Sequence, residues 1–372
     1  LGQRVAVLGG CCGTGPEHVA AIGEAIREAA TAPGDAGAYA TARRDAVRVE
    51  VGTGVADDDE RPPADATAPT GLEASLAAPG PTIAVEMEPP RSFNAAALVA
   101  AAATLRDAGA DAIDVADSPM AKMRMSAWAA CRLVQERVGI ETVIHFPTRG
   151  RNLLRLQGDL LGAHALGIRN VFVCVGDPVT IGDYPQTLND VDVTATGLLA
   201  LITEGFNQGV DRAGSSIGEP TAFFTGAAVS PNAPDLEREV RLLRRKVEAG
   251  ARFLLSQPLY EAAPLRALRR AYEELAGGPL GVPVLAGCLP LVSARHARFL
   301  DNEVPGVAIP SDVIARIERA GEGEASWREG LAMAIDVAAV LRDEGAAGVY
   351  VMPQFGRYDR AAELIEAIRR DG

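Results

Sequence analysis

From residue 81 to its end, the chain repeats a two-part pattern of apolar and polar positions. Short runs rich in β-branched and aromatic residues, typical of buried strands, alternate with longer runs whose apolar residues recur every three or four positions, typical of amphipathic helices. AAALVAAAATLRDAG and LEREVRLLRRKVEAGA are two of the helical runs. The eight strand-like runs are TIAVEMEPP (82–90), DAIDVAD (111–117), ETVIHFPT (141–148), NVFVCVGD (170–177), TAFFTGAAV (221–229), RFLLSQPLY (252–260), VPVLAGCLP (282–290) and GVYVMPQF (348–355).

Eight strand and helix pairs within residues 81–372 predict an α/β protein with a (β/α)8 TIM barrel. The alternative is a doubly wound open sheet. That architecture usually carries a Gly-rich turn after its first strand, whereas the first strand here runs into EPPR. The pattern therefore favours the barrel.

The residues before the barrel divide into two segments. Residues 1–30 contain a short apolar strand, RVAVLGG, a loop with Cys11 and Cys12, and a helix, PEHVAAIGEAIREA, that Pro16 is well placed to begin. Residues 31–80 are rich in Ala, Pro, Gly and Asp and show little periodicity. This composition predicts an extended or disordered linker between the strand–helix segment and the barrel.

Polar side chains collect near the C-terminal ends of the predicted strands, where a (β/α)8 barrel carries its chemistry. A single strand-end Asp is more often a helix cap than a catalyst, but several polar groups at one rim predict a site. The six residues are Glu86, Glu88, Asp117, His145, Asp177 and Gln257.

The residue types at this rim exclude several classes of enzyme reaction. A Schiff-base aldolase needs a lysine on a strand, but Lys122 falls in a predicted loop and Lys246 in a predicted helix. A catalytic zinc needs about three ligands, and His145 is the only histidine at the rim; carboxylate-bound magnesium stays open. No Ser–His pair lies at the strand ends. A carboxylic acid with amide and carboxylate partners remains, which suits proton transfer to a bound organic cofactor or substrate.

The net charge, the lengths of the apolar runs and the cysteine positions indicate which partners and which location to expect. The net charge of −13 argues against nucleic acid, which needs a basic binding face. No apolar run reaches the length of a membrane-spanning helix. The five cysteines are scattered, as expected of buried reduced thiols. We expect a cytoplasmic homo-oligomer that binds neither membranes nor nucleic acid.

Several segments of the barrel together resemble the methylenetetrahydrofolate reductase family, and the likeness runs from about residue 81 to the end. The segments are VEMEPPR (85–91), HFPTRGRN (145–152), RNVFVCVGDPVTIGDYP (169–185), FNQGVDRAGSSIG (206–218), RRKVEAGARFLLSQPLY (244–260) and GVPVLAGCLPLVS (281–293). The resemblance implies reduction of 5,10-methylenetetrahydrofolate to 5-methyltetrahydrofolate. NADH or NADPH would give a hydride to bound FAD, and the folate would then replace the nucleotide on the flavin.

The resemblance also implies roles for individual residues. Glu86 matches the acid that protonates the departing nitrogen when the folate's imidazolidine ring opens. Asp177 matches a carboxylate near the flavin ring and the folate, and Gln257 matches an amide that contacts the folate. Glu88 is a neighbour of this site. The positions that match flavin contacts are Ala116, His145, Val175, Gly176, Asp177, Ala228 and Lys246.

Some positions depart from the pattern of stand-alone reductases. Ala116 stands where Thr is usual, Val175 where Arg is usual, Val229-Ser230-Pro231 where a Tyr is usual, and MPQF follows the last strand. Several of these changes remove polar flavin contacts. They leave open a flavin-independent transfer of hydride from NADH to the folate, and a non-catalytic folate-binding barrel. No dinucleotide fingerprint chooses between NADH and NADPH.

The N-terminal segment RVAVLGGCCGTGPEHVAAI resembles the end of a homocysteine S-methyltransferase. In that family the Cys-Cys pair provides two of three zinc thiolates, and the third comes from an earlier strand. We therefore expect Cys11 and Cys12 to be a remnant that binds no metal within this chain. The resemblance implies that residues 1–30 are the C-terminal part of such a domain. They could dock onto a separately made methyltransferase domain.

Overall fold

The computed structural model describes residues 14–31, 68–187, 189–304 and 306–371. The chain divides into two units, residues 1–60 and residues 61–372. In the first unit, helix α1 (Pro16–Thr31) begins at the predicted proline. The predicted strand RVAVLGG, Cys11, Cys12 and most of the predicted linker lie outside the described residues. Across the described part of the chain, no helix is both long and apolar enough to span a bilayer.

Eight parallel strands close into a barrel in which each strand pairs with its neighbours in sequence and the last pairs with the first. The predicted (β/α)8 barrel is thus confirmed, and the open sheet is excluded. The strands are β1 (Thr82–Met87), β2 (Ala112–Val115), β3 (Glu141–Pro147), β4 (Asn170–Cys174), β5 (Phe224–Val229), β6 (Phe253–Pro258), β7 (Val284–Cys288) and β8 (Gly348–Val351).

Helices surround the strands and cover their outer face. Helix α7 shows how they are encoded: the Asp235 side chain caps its first turn by accepting from the Arg238 N–H, and Val240 and Leu243 are buried. The helices of the second unit are α2 (Gly71–Ala77), α3 (Ala96–Asp107), α4 (Ala127–Val138), α5 (Leu153–Ala165), α6 (Ala195–Ala200), α7 (Leu236–Glu248), α8 (Ala263–Ala276), α9 (Ala294–Glu303), α10 (Ser311–Ala320), α11 (Glu324–Asp343) and α12 (Tyr358–Asp371).

Most strands end earlier than the apolar pattern indicates. Strand β1 stops at Met87, before Pro89 and Pro90, and β8 stops at Val351, before Pro353. Proline has no N–H for the strand ladder, so it ends pairing even where the sequence continues to look strand-like. The residues beyond these strand ends form the loops of the barrel mouth.

The barrel interior is filled by large apolar side chains that face inward. Phe224 and Phe253 stack with their ring centroids 5.2 Å apart. Gly226 makes this possible, because a Cβ there would lie 2.2 Å from the Phe253 ring. The interior cluster consists of Leu72, Ala84, Ala112, Val143, Phe172, Phe224, Phe253, Leu255, Leu285 and Tyr350.

Helix α2 closes the N-terminal end of the barrel, although residues 68–80 fall within the predicted linker. That part of the linker prediction is wrong. Thr70 caps α2 through its hydroxyl, which accepts from the Glu73 N–H at 3.1 Å, and the Gly71 N–H donates to Glu141 at 2.5 Å. Leu72 is fully buried among the interior side chains. One buried leucine in an Ala- and Pro-rich stretch creates no apolar period, which explains why composition suggested a linker.

Candidate active site

Three polar side chains share the inward face of neighbouring strands near the barrel mouth. Successive strand residues point to opposite faces, so Glu86, Asp114 and His145 lie on the same face as the interior residues two positions before them. Glu86 and Asp114 are also direct partners in the β1–β2 register. The fold therefore brings the predicted acid Glu86 and the predicted flavin contact His145 to either side of a third group, Asp114.

Glu86 is held by a tyrosine from the last strand. The Tyr350 hydroxyl donates a hydrogen bond to Oε2 of Glu86, and Tyr350 is almost fully buried. Burial raises the pKa of Tyr350 well above its usual range, and the carboxylates of Glu86 and Asp114 add to the effect. Tyr350 is thus a neutral donor throughout the physiological pH range.

Asp114 and His145 form a buried acid–base pair. His145 Nε2 lies 3.5 Å from Oδ1 of Asp114, which is completely inaccessible to solvent. Burial raises the pKa of Asp114 to about 6, against the opposing influence of His145. Burial alone would lower the pKa of His145, but Asp114, Glu86 and Asp117 outweigh it and hold the pKa above its ordinary value. Both groups of the pair therefore hold their protons to higher pH than they would in water.

A cleft opens between the loops that follow β2, β3 and β4. Its volume is about 380 Å³. Asp177 is exposed here, and its Oδ2 accepts a hydrogen bond of 2.6 Å from the Met120 N–H. The predicted position Val175 is exposed at the same rim. Residues that line the cleft include Asp117, Ser118, Lys122, Met123, Arg149, Arg151, Gly176, Asp177 and Tyr184.

The backbone around this cleft is tightly constrained. Gly176 has a φ of +87°, and a Cβ at this position would lie 2.8 Å from Cβ of Pro147. Across the cleft, Ser118, Met120 and Ala121 adopt φ values of 49°, 56° and 51°. Side-chain-bearing residues rarely adopt this region, and such strain concentrates at ligand sites.

Replacing Gly176 by Ala is expected to destabilise the protein by about 1–3 kcal/mol, because the new methyl group meets Pro147 and the backbone is strained. Thermal unfolding measures the cost. Gly162→Ala is the matched control, since nothing lies within 4 Å of its Cβ position in helix α5. It should stabilise the protein by about 0.5–1 kcal/mol. Equal effects from the two substitutions would show that Gly176 is not under constraint.

An ion pair anchors the loop after β2. The Arg151 guanidinium bonds to Oδ2 of Asp117, and both side chains are largely buried. The same guanidinium stacks on the rings of Trp128 at 4.5 Å and Phe146 at 4.9 Å. This contact fixes Asp117 between the inward polar groups and the cleft.

Lys246 reaches the strands from helix α7 instead of pointing into solvent. Its Nζ donates to the carbonyl of Ala228 at 2.7 Å and lies 3.8 Å from Glu239. Burial lowers the pKa of Lys246, and Glu239 partly offsets this. A hydrogen bond thus connects Lys246 and Ala228, both of which were predicted to contact a flavin.

The remaining predicted positions lie elsewhere around the mouth. Ala116 is buried just after β2, and its N–H donates to the Met87 carbonyl at 3.1 Å. Gln257 is half-buried on β6, with two strands between it and β1. Glu88 is not part of the inward cluster of Glu86, Asp114 and His145, because its carboxylate pairs with Arg124 at 2.9 Å.

Asp114 and Tyr350 were missing from the sequence prediction. Both lie inside their strands, two or more residues before the strand-end positions on which the prediction was based. The alternation of side chains along a strand could have identified Asp114, which lies midway between Ala112 and Ala116 in DAIDVAD and therefore shares their face.

Within the described residues, no cluster of three or more His, Cys, Asp or Glu side chains is arranged to hold a metal ion. Cys131, Cys174 and Cys288 are free thiols, and burial raises the pKa of each to about 12. These thiols are therefore protonated and unreactive at neutral pH.

Comparison with known proteins gives a consistent result. Residues 72–368 match the family model for methylenetetrahydrofolate reductase. Two relatives from Schizosaccharomyces pombe are methylenetetrahydrofolate reductase 2, which is 22% identical over 57% of this chain, and methylenetetrahydrofolate reductase 1, which is 21% identical over 46%. These matches span 33% and 27% of the relatives' own lengths.

A similar solved structure is an uncharacterised protein from Clostridium thermocellum that binds two copies of 5-methyl-5,6,7,8-tetrahydrofolic acid. Its TM-score is 0.56 at 10% identity, over 80% of this chain and 98% of that one, so the likeness concerns the fold alone. The family model covers the barrel from helix α2 to helix α12. This chain belongs to the methylenetetrahydrofolate reductase family.

Proposed function

We propose that the barrel reduces 5,10-methylenetetrahydrofolate to 5-methyltetrahydrofolate with NADH or NADPH as the hydride source, and that Glu86 is the general acid. The observation that carries the proposal is the placement of Glu86. Its carboxyl group lies on the inward face at the mouth, with one oxygen bonded to Tyr350. The other oxygen is left to act on a ligand.

A folate substrate is supported from two sides. The chain belongs to a family named for folate reduction, and the Clostridium thermocellum protein with the same fold binds a reduced folate. The mouth also exposes apolar groups, including Phe93, Met123 and Phe355, against which planar rings would pack.

The cleft after β2, β3 and β4 fits FAD. Lys122 and Arg149 provide positive charge for a pyrophosphate, and Met123 and Tyr184 provide apolar contact. When bound there, FAD would relay hydride between the nicotinamide and the folate. Asp177, which lines this cleft, would position it from the end of β4.

The chain's own residues would then handle the proton. Opening of the imidazolidine ring leaves a nitrogen that must be protonated, and the carboxylic acid of Glu86 would supply that proton. The amide of Gln257 both donates and accepts, so it would orient the pterin edge from β6.

A second candidate is direct hydride transfer from NADH to the folate without flavin. It is favoured by Ala116 and Val175, because neither provides a polar side chain at positions where polar flavin contacts are expected. The docking of residues 1–30 onto a homocysteine S-methyltransferase domain stays a prediction, as does the cytoplasmic location.

The deciding experiment is to purify the full chain and record its visible absorbance without oxygen, before NADH, after NADH and after methylenetetrahydrofolate. A flavin band that bleaches with NADH and returns with the folate is the expected result. Folate-dependent loss of NADH without any flavin band would favour the second candidate. Absence of folate-dependent oxidation of both NADH and NADPH, with and without added FAD, would refute both.

A further inference from the structure

One wall of the cleft is a short loop after β2, residues 118–123, which we call the strap. Its backbone is strained at three positions, because Ser118, Met120 and Ala121 have φ values of 49°, 56° and 51°. A residue with a side chain loses free energy in this region, and it stays there only where the surrounding contacts leave no alternative. The strap therefore needs contacts that hold it in place.

These contacts come from the segment that follows β4. The Met120 N–H donates to Oδ2 of Asp177 at 2.6 Å, and the Met123 N–H donates to Oδ2 of Asp183 at 3.1 Å. The Asp183 N–H donates in turn to the carbonyl of Ala121 at 3.2 Å. Asp183 thus holds the strap through both its side chain and its backbone, and the proposed function gives this residue no role.

Gly182 allows the two segments to come this close. A Cβ at Gly182 would lie 2.1 Å from the carbonyl oxygen of Ala121 and 2.6 Å from its Cβ. The φ of Gly182 is −97°, outside the left-handed region, so the backbone itself does not require glycine here. The missing side chain is therefore what the contact between the segments depends on.

We propose that Asp183 is a positioning residue that clamps the strap, and that the clamped strap is the wall against which the ligand of the cleft binds. Arg91, from the loop after β1, donates to the same Oδ2 of Asp183 at 3.1 Å and orients the carboxylate. Because the strap is strained, the loss of one clamping contact releases it as a unit. A wall that is held in place before binding reduces the ordering cost of the ligand. The identity of the ligand as FAD rests on the proposed function, whereas the clamp does not.

Hydrogen exchange of the strap amides tests the clamp in the full chain. In Asp183→Ala the Met123 amide loses its acceptor. The Met120 amide should also exchange about tenfold faster, although Asp177 can still accept from it, because the strap is released as a unit. Gly182→Ala should have the same effect, because its methyl group collides with the strap. Asp183→Asn should protect both amides nearly as well as the native residue, because its carbonyl oxygen accepts from the Met123 N–H.

Gly158→Ala is the matched steric control. Nothing lies within 4 Å of the Cβ position of Gly158 on helix α5, so this variant should leave the exchange of the strap unchanged. Faster exchange at Met123 alone in Asp183→Ala, or unchanged exchange in Gly182→Ala, would overturn the clamp.

Binding of FAD tests the strap as a wall of the ligand site. When FAD is titrated into the full chain and followed by its fluorescence, the dissociation constant should rise about tenfold in Asp183→Ala and in Gly182→Ala. It should stay close to the native value in Asp183→Asn. Turnover at saturating FAD should change less than about threefold, because the loss of a binding contact weakens binding without slowing the chemical step.

The outcomes separate this proposal from the proposed function. Unchanged FAD affinity in a variant whose strap exchanges faster would overturn the strap as a wall of the site, even if the chain reduces folate. A native chain that binds no FAD would refute both the flavin of the proposed function and the wall. The exchange of the strap amides would then still decide whether Asp183 is the clamp.

Discussion

Replacing Glu86 by Gln lowers the rate of folate reduction by about 10²–10⁴-fold, the usual contribution of a general acid. Gln preserves the hydrogen bond from Tyr350, because its carbonyl oxygen accepts as the carboxylate does. It has no acidic proton to give to the departing nitrogen. The reaction of NADH with a bound flavin needs no such proton, so NADH should still bleach the visible band. Stopped-flow absorbance with NADH, followed by folate, separates the two steps.

Glu88→Gln is the matched control for this experiment. Glu88 lies two residues further along the chain, but its carboxylate is exposed and pairs with Arg124. Turnover should change less than about threefold, because the Glu88 carboxylate is half exposed and directed to Arg124 instead of to the inward polar groups. If Glu86→Gln and Glu88→Gln lowered turnover equally, the inward placement of Glu86 would not explain catalysis.

Replacing Arg151 by Met destabilises the fold by about 3–5 kcal/mol, because it leaves the buried Asp117 carboxylate without its counter-charge. Loss of the stacking on Trp128 and Phe146 adds to this cost. Met fills a similar volume, so the effect isolates charge and stacking from packing. Urea unfolding followed by circular dichroism measures the free energy of unfolding.

Arg155→Met tests the same substitution four residues away on helix α5. Arg155 pairs with Asp159 in an i,i+4 ion pair, but 70% of its side chain is exposed to solvent. This pair should contribute less than about 1 kcal/mol. A loss of similar size in both variants would mean that the Asp117–Arg151 contact is not the anchor of the mouth.

The sequence predicted the barrel because its signal repeats. Each of the eight strands forms one apolar run, and the order and parallel direction follow from the helices between them. Helix α2 was not predicted, because its role depends on a single side chain, Leu72, that packs against strands distant in sequence. No local pattern records such a contact.

The site was predicted only in part, for a related reason. Strand-end positions indicated Glu86 and His145, the family resemblance indicated Gly176, and the structure places all three at the mouth. Asp114 and Tyr350 matter because the closed register brings β2 and β8 to either side of β1. The predicted barrel implies that β2 and β8 are the neighbours of β1, but the register between these strands is not encoded in any one strand, so the partners of Glu86 could not be inferred from strand-end positions alone.

Helix α2 also determines where this protein can be divided. A chain cut at residue 81 would lose Leu72 and leave an apolar opening at the base of the barrel, so a stable barrel includes helix α2. The Ala68 carbonyl is itself held by Arg169 at 2.7 Å. Helix α2 lies at the end of the barrel away from the mouth, so substitutions at Leu72 should change the stability of the barrel without changing the residues that line the site.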